Sequence, residues 1–266
     1  MPLKKPKTEK KEANQEGVMT VSGHLKELRN RIFVIFIAFA LAMIGLVMVA
    51  PHLIMFFTGM GTGYGYQFVV IAPQEMLMQQ FRLAVIGALV LASPVIFYEI
   101  YAFLRPGLSK GESSILRLAL LMGVVFFALG VVFAYFIALP FMLNFLISLN
   151  NDAILLSSIK ASISVASYLD FVLLMFIIFG AMFELPLISI VLSRFGLLTP
   201  KMMQKLRPYA IILIFILAAF ITPPDVVSQV MVAVPMMLLF FLSTFLCRVF
   251  YKQRKEKQEA EEEEAA

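Results

Sequence analysis

Six stretches of this chain run apolar almost without interruption: residues 32–57, 83–104, 116–149, 166–193, 209–221 and 226–247. Polar and apolar positions do not alternate within them, which excludes half-buried strands and the β-barrels built from them. A helix that is hydrophobic all round must be surrounded by lipid or by protein. A spanning helix needs about 20 apolar residues. The third stretch is long enough to cross and then continue past the interface. The fifth gives only about 20 Å of helix at about 1.5 Å per residue. It is bounded by Arg207-Pro208 and by Thr222-Pro223-Pro224-Asp225. A span that short thins the bilayer or stands in a recess made by its neighbours. The pattern predicts an all-α polytopic membrane protein with six transmembrane helices, the fifth and sixth short.

Composition agrees. The chain is 61% hydrophobic over 266 residues, against about 45–50% for soluble domains. Its one cysteine, Cys247, allows no intrachain disulfide, and His24 and His52 are too few for a histidine-built metal site. No metal or cofactor is expected. The Lys-rich start lacks a short apolar core followed by a small-residue cleavage site, so no cleavable signal peptide is expected.

The net charge of +5 is explained by topology rather than by nucleic acid. Six spans bring both termini to one side. Of the 22 Lys and Arg residues, all but Arg82 and Lys160 fall in the N-terminal arm, the second–third and fourth–fifth connections or the C-terminal tail. Positive residues concentrate on the cytoplasmic side, which predicts that both termini are cytoplasmic. Helix-start signals punctuate the connections. Ser109 to Glu112 fits a capping box, and Thr199-Pro200 fits an N-cap with proline at the first helical position. Ala72-Pro73-Gln74-Glu75 opens the second helix similarly. Three parts are expected: a disordered basic tail over residues 1–20, a six-helix domain over 21–250, and a charged, disordered tail over 251–266.

Glu184 is the only charge in residues 171–193. An ionisable side chain at membrane depth costs at least about 2.5–3.5 kcal/mol, so Glu184 is a candidate functional residue facing protein or a wet cavity. The plainer account is a protonated carboxyl bonded to a neighbouring helix. Glu27 and Glu112 are carboxylates in basic, membrane-proximal segments before the first and third spans. A carboxylate takes a guanidinium in bidentate fashion, so two on one face can read a ligand carrying two arginines. Plainer accounts exist here too: Glu27 can pair with Arg31 one helical turn on, and Glu112 can complete its capping box. Thr222 to Gln229 breaks the chain between two spans. A buried Gln there is an interhelical hydrogen-bonding group, while an ordinary water-facing turn is the alternative. Gly61-Thr62-Gly63-Tyr64-Gly65 is only faintly like a potassium filter and reads as a flexible loop. Phosphate-loop and zinc-protease motifs are missing, and no Ser-His pair is plausible.

The ordered set of segments resembles the TatC family, the polytopic receptor of the twin-arginine protein translocase. The matching pieces begin with His24-Leu25-x-Glu27-Leu28-Arg29-x-Arg31 and Phe103-x-x-Pro106-Gly107-Leu108-x-x-x-Glu112. They continue with Ala134-Tyr135-Phe136, Tyr168-Leu169, Phe179-Gly180-x-x-Phe183-Glu184-x-Pro186 and Arg207-Pro208-Tyr209. The last is Thr222-Pro223-Pro224-Asp225-x-x-Ser228-Gln229-x-x-x-Ala233-x-Pro235. The resemblance covers residues 21–250.

It implies helices packed as a curved, concave wall, in a cytoplasmic (inner) membrane, within an oligomeric complex. It implies a non-enzymatic receptor that binds the Arg-Arg signal peptides of folded cargo, with transport driven by the proton-motive force. Glu27 and Glu112 match the acidic signal-binding positions, and Arg29, Phe103, Pro106 and Leu108 match residues that shape that surface. Glu184 matches the acid of an intramembrane pocket. Thr222 and Gln229 match the patch where the single-span partners, TatA and TatB, dock. Ala219 stands where some relatives carry a larger side chain, which would reshape that dock. The rival reading is a proton- or ion-coupled secondary transporter using Glu184 as a relay and the proline-broken segments as discontinuous helices. Such proteins usually show two related halves, which this sequence lacks.

Overall fold

A computed structural model of the chain describes residues 21–105, 110–154, 162–222 and 224–265. Helices α1 (Val21–Gly63), α2 (Glu75–Leu104), α3 (Lys110–Phe133), α4 (Leu139–Ile154), α5 (Val165–Arg194), α6 (Pro200–Ile221) and α7 (Val226–Ala265) account for nearly all of these residues. Six helical spans are long and apolar enough to cross a membrane, the third made of α3 and α4 together. In hydrocarbon every backbone group must be satisfied within the segment, which is why apolar runs of this length become helices.

The third span is not regular. A π-helical turn, Ala134–Ala138, separates α3 from α4, and the Leu139 N–H reaches back to the Ala134 carbonyl. Pro140 follows immediately and has no N–H for the Phe136 carbonyl. The wider turn takes up this mismatch, as insertions of this kind do inside helices.

The spanning helices form an open wall. At one edge α1 packs chiefly on α2; α2 touches α3 and α5; α5 packs on α3 and α7; α7 carries α6 at the other edge. Helix α5 is the centre: 56% of its most apolar 18 residues are buried, against none of those in α1. Phe179, Leu169, Val172 and Met175 of α5 are buried against Met142 and Leu143 of α4 and Met236 of α7. Small residues let α3 and α5 cross at backbone contact. A Cβ at Gly130 would stand 2.6 Å from the Phe179 carbonyl oxygen and 2.8 Å from the Gly180 Cα.

Residues 251–265 continue α7 as helix. The segment is rich in Lys, Gln, Glu and Ala, all good helix formers. The pairs Lys252–Glu256 and Lys255–Glu259, one turn apart, add to it. The fifth span, α6, has 22 residues. For the sixth, shortness describes only the apolar run, because α7 is 40 residues long.

Strands β1 (Gln67–Val69) and β2 (Ser162–Ser164) pair in parallel at the face opposite the termini. Three residues each are too few to show alternation, so no local pattern marks them. Gly65, with φ +90°, makes the turn into β1. The Thr199 side chain accepts from the Met202 N–H at 3.2 Å and Pro200 opens α6, as expected. Residues 1–20, with Pro106, Leu108 and Ser109, lie outside the described residues.

Candidate functional site

The polar chemistry of the terminus-bearing face gathers where α1 begins and α2 ends. Glu27 and Arg31 are four residues apart on α1, so their side chains share one helix face. Arg31 Nε donates to Glu27 Oε1 at 3.1 Å, and Nη2 donates to the same oxygen. The plainer expectation for Glu27 is therefore met, but the pair is not closed. Arg31 Nη1 also donates to Glu99 Oε2 of α2 at 3.0 Å. One guanidinium thus serves two carboxylates. Glu27 Oε2 is buried with no hydrogen-bond partner among the described residues, and His24 Nδ1 stands 4.0 Å from it. The His24 ring stacks on Phe103 at 4.3 Å, clamping α1 to the end of α2. Arg29 is exposed beside this cluster.

The first turn of α3 is tied to the same face. Tyr101 Oη lies 3.1 Å from Ser113 Oγ and accepts from Arg117 Nε at 3.2 Å. Glu112 precedes Ser113 in that turn. Its side chain lies outside the described residues, as do Pro106 and Leu108, so of the six signal-binding candidates only Glu27, Arg29 and Phe103 have a described environment. Below this face a cleft of about 740 Å³ opens between α2 and α3, lined by Pro94, Phe97, Tyr101, Arg117, Leu121 and Val125 among others.

Glu184 sits in the middle of α5 on the side that meets α3. Its neighbours there include Phe183, whose ring packs on Phe133 at 5.4 Å. Glu184 is 8% exposed and its Oε1 has no hydrogen-bond partner among the described residues. The carboxyl is turned into protein rather than lipid. It lines none of three described cavities: the α2–α3 cleft, one of about 420 Å³ among α5, α6 and α7, and one of about 270 Å³ beside Thr222.

Thr222 and Gln229 are both committed to α6. Thr222 Oγ1 donates to the Ala218 carbonyl at 3.1 Å, and Gln229 Nε2 donates to the Phe215 carbonyl at 2.9 Å. The interhelical role expected of Gln229 is thus seen, between α7 and α6. Asp225 caps α7: Oδ1 accepts from the Ser228 N–H at 2.7 Å and Oδ2 from the Ser228 hydroxyl. These bonds hold the Asp225 carboxyl below the usual carboxylate range.

Two clusters escaped the sequence reading. Glu99 is a charge inside an apolar run, the signal that singled out Glu184, yet only the fold shows that it meets Arg31. At the opposite face Glu75 Oε2 accepts from the N–H groups of Ile71 and Ala72, while Oε1 accepts from Ser164 Oγ and the Ala166 N–H. Nearby, Asp170 of α5 accepts from Arg82 Nη1 and from Gln79 Nε2 of α2. These ties link residues about 90 apart in sequence, which no local pattern records.

An open wall of six apolar spans, with charged clusters at its faces and one acid in its middle, defines a polytopic helical membrane protein. The particular family follows from comparison. Residues 23–235 match the family model of the Sec-independent protein translocase protein (TatC), and the chain belongs to this family. It is 35% identical over 257 residues to the Sec-independent protein translocase protein TatC of Desulforapulum autotrophicum, covering 96% of this chain and 92% of that one. It is 33% identical to the TatC of Aquifex aeolicus, covering 91% and 100% respectively. The crystal structure of a twin arginine translocase receptor, TatC, superposes with a TM-score of 0.76 at 33% identity, covering 84% of this chain and 97% of that one.

Proposed function

We propose that this translocase component is the membrane receptor and core subunit of a twin-arginine system. It is not an enzyme. It lies in the cytoplasmic membrane with both termini in the cytoplasm, binds the Arg-Arg signal peptides of folded cargo, and recruits TatA- and TatB-like single-span subunits in an oligomeric complex. Export is driven by the proton-motive force.

The observation that supports this best is the state of Glu27. Its carboxylate is oriented by Arg31 through Oε1, while Oε2 carries no hydrogen bond. A pre-oriented acceptor oxygen left without a hydrogen bond suits a guanidinium, whose planar fork supplies the missing donor once the packing over that oxygen gives way. Glu112, in the adjoining first turn of α3, supplies the second carboxylate. Arg29, Phe103, Pro106 and Leu108 shape the surface around the pair. Glu184 serves as the working acid within the membrane, buried where α5 meets α3 rather than in one of the described cavities, and Thr222 and Gln229 hold the α6–α7 corner against which a partner helix docks.

Binding of a twin-arginine signal peptide to the purified chain in detergent, beside a twin-lysine control, tests the reading. Lysine is a point charge and lacks the planar fork. The arginine peptide is expected to bind more tightly, and the preference is expected to vanish in Glu112→Ala. Equal binding of the two peptides would overturn the receptor assignment.

A further inference from the structure

The Glu27–Arg31–Glu99 cluster holds more than a receptor face with Glu27 alone requires. A lone Glu27–Arg31 pair on one helix is neutral and already satisfied. It would be a poor acceptor for a second guanidinium, particularly with Lys26 and Arg29 beside it. The fold does something else. Arg31 reaches across to Glu99, 68 residues away on α2, so two carboxylates share one guanidinium. The two acids are not equivalent. The Glu99 side chain is 11% exposed and engages Arg31 from the α2 side, whereas that of Glu27 is 18% exposed and keeps Oε2 unbonded.

We infer that Glu99 is a positioning residue for arginine recognition: by taking a share of Arg31 it leaves the cluster with one surplus negative charge and keeps Glu27 Oε2, buried and unbonded among the described residues, in want of a donor that an incoming guanidinium supplies. This rests on the receptor reading above. Glu99 does not touch the signal; it sets how much of Glu27 is available to it. Without the second acid, Arg31 can turn its whole fork onto Glu27, and the surplus charge is gone. With it, the guanidinium is held between two elements, and an arriving arginine meets a net attraction at a place where the surrounding segment is basic.

The test uses the full chain in detergent and a fluorescent twin-arginine signal peptide. Glu99→Gln, nearly the same size, is expected to weaken binding about tenfold, the loss of one charge-assisted interaction. Adding Arg31→Gln to Glu99→Gln is expected to restore binding to within about threefold of the parent, because Glu27 is released and the surplus charge returns. Arg31→Gln alone is expected to bind at least as well as the parent. A merely structural role would make the double variant worse than either single one. Unchanged binding in Glu99→Gln, additive loss in the double variant, or weakened binding in Arg31→Gln would each overturn the inference while the parent still prefers arginine. If the parent shows no preference for arginine over lysine, the receptor reading fails and this inference fails with it.

Discussion

Glu75 and Glu184 are equally hidden, each 8% exposed, yet they are treated in opposite ways. Glu75 spends both oxygens. Four donors converge on it from the loop before α2, from Ser164 and from the start of α5. Glu184 leaves Oε1 without a hydrogen-bond partner among the described residues, beside the close crossing where Gly130 and Gly180 bring α3 and α5 together. A buried acid that is fully bonded fastens elements to one another. One that is left wanting destabilises the fold and is kept for another reason. Burial alone therefore does not distinguish a carboxylate that fastens the fold from one left partly unbonded; the count of satisfied oxygens does.

The largest effect is expected at the fastened acid. Glu75→Ala removes one acceptor group from three backbone N–H groups and a hydroxyl at once. It frees the loop before α2 from the N-terminus of α5, and the β1–β2 pairing beside it loses its anchor. The variant should show a clear fall in detergent melting temperature and in folded yield. Unchanged melting would mean that water replaces the carboxylate without loss, and the contrast with Glu184 would collapse.

Glu184→Leu should go the other way. Removing an acid with one unbonded oxygen from the middle of a span lifts a penalty of about 2.5–3.5 kcal/mol on insertion scales, offset in part by the loss of its contact with the Phe127 backbone and by fitting a branched side chain against α3. The expectation is a melting temperature equal to or above the parent's, with export of twin-arginine cargo lost when the variant replaces the parent in cells. Lower stability together with intact export would assign Glu184 to the fold and remove it from the site.

The contrast also marks what was legible in the sequence. The spans were readable because lipid allows only one local solution for a long apolar run, and the Thr199-Pro200 start because caps are local. Glu184 stood out because a lone charge among apolar residues needs no partner to be noticed. Glu75 did not stand out, since its four bonds join segments that meet only in the folded chain. Glu99 was hidden for the same reason, as its meaning depends on Arg31. The strands are too short to carry a pattern. The helical course of the tail after Phe250 follows from helix propensity and from Lys and Glu residues one turn apart, which its charge-rich composition masks.

The smallest expected effect concerns a third acid, which lies outside the spans and so separates bonding from burial. Asp225 caps α7 through the hydroxyl and main-chain N–H of Ser228, which hold its carboxyl below the usual carboxylate range. A group whose folded-state value is depressed adds stability that is present above its unfolded value, about 3.9 for Asp, and is lost as pH falls through the lower folded value. The parent should therefore lose part of the stability of the α6–α7 corner on acidification through that window. Asp225→Asn, which still accepts at the cap but cannot ionise, should lack that component. Melting curves of the two proteins across acid pH measure the difference. Parallel profiles would mean that the Asp225 charge contributes nothing to the corner, and that full bonding fastens an acid only where water is excluded, as at Glu75.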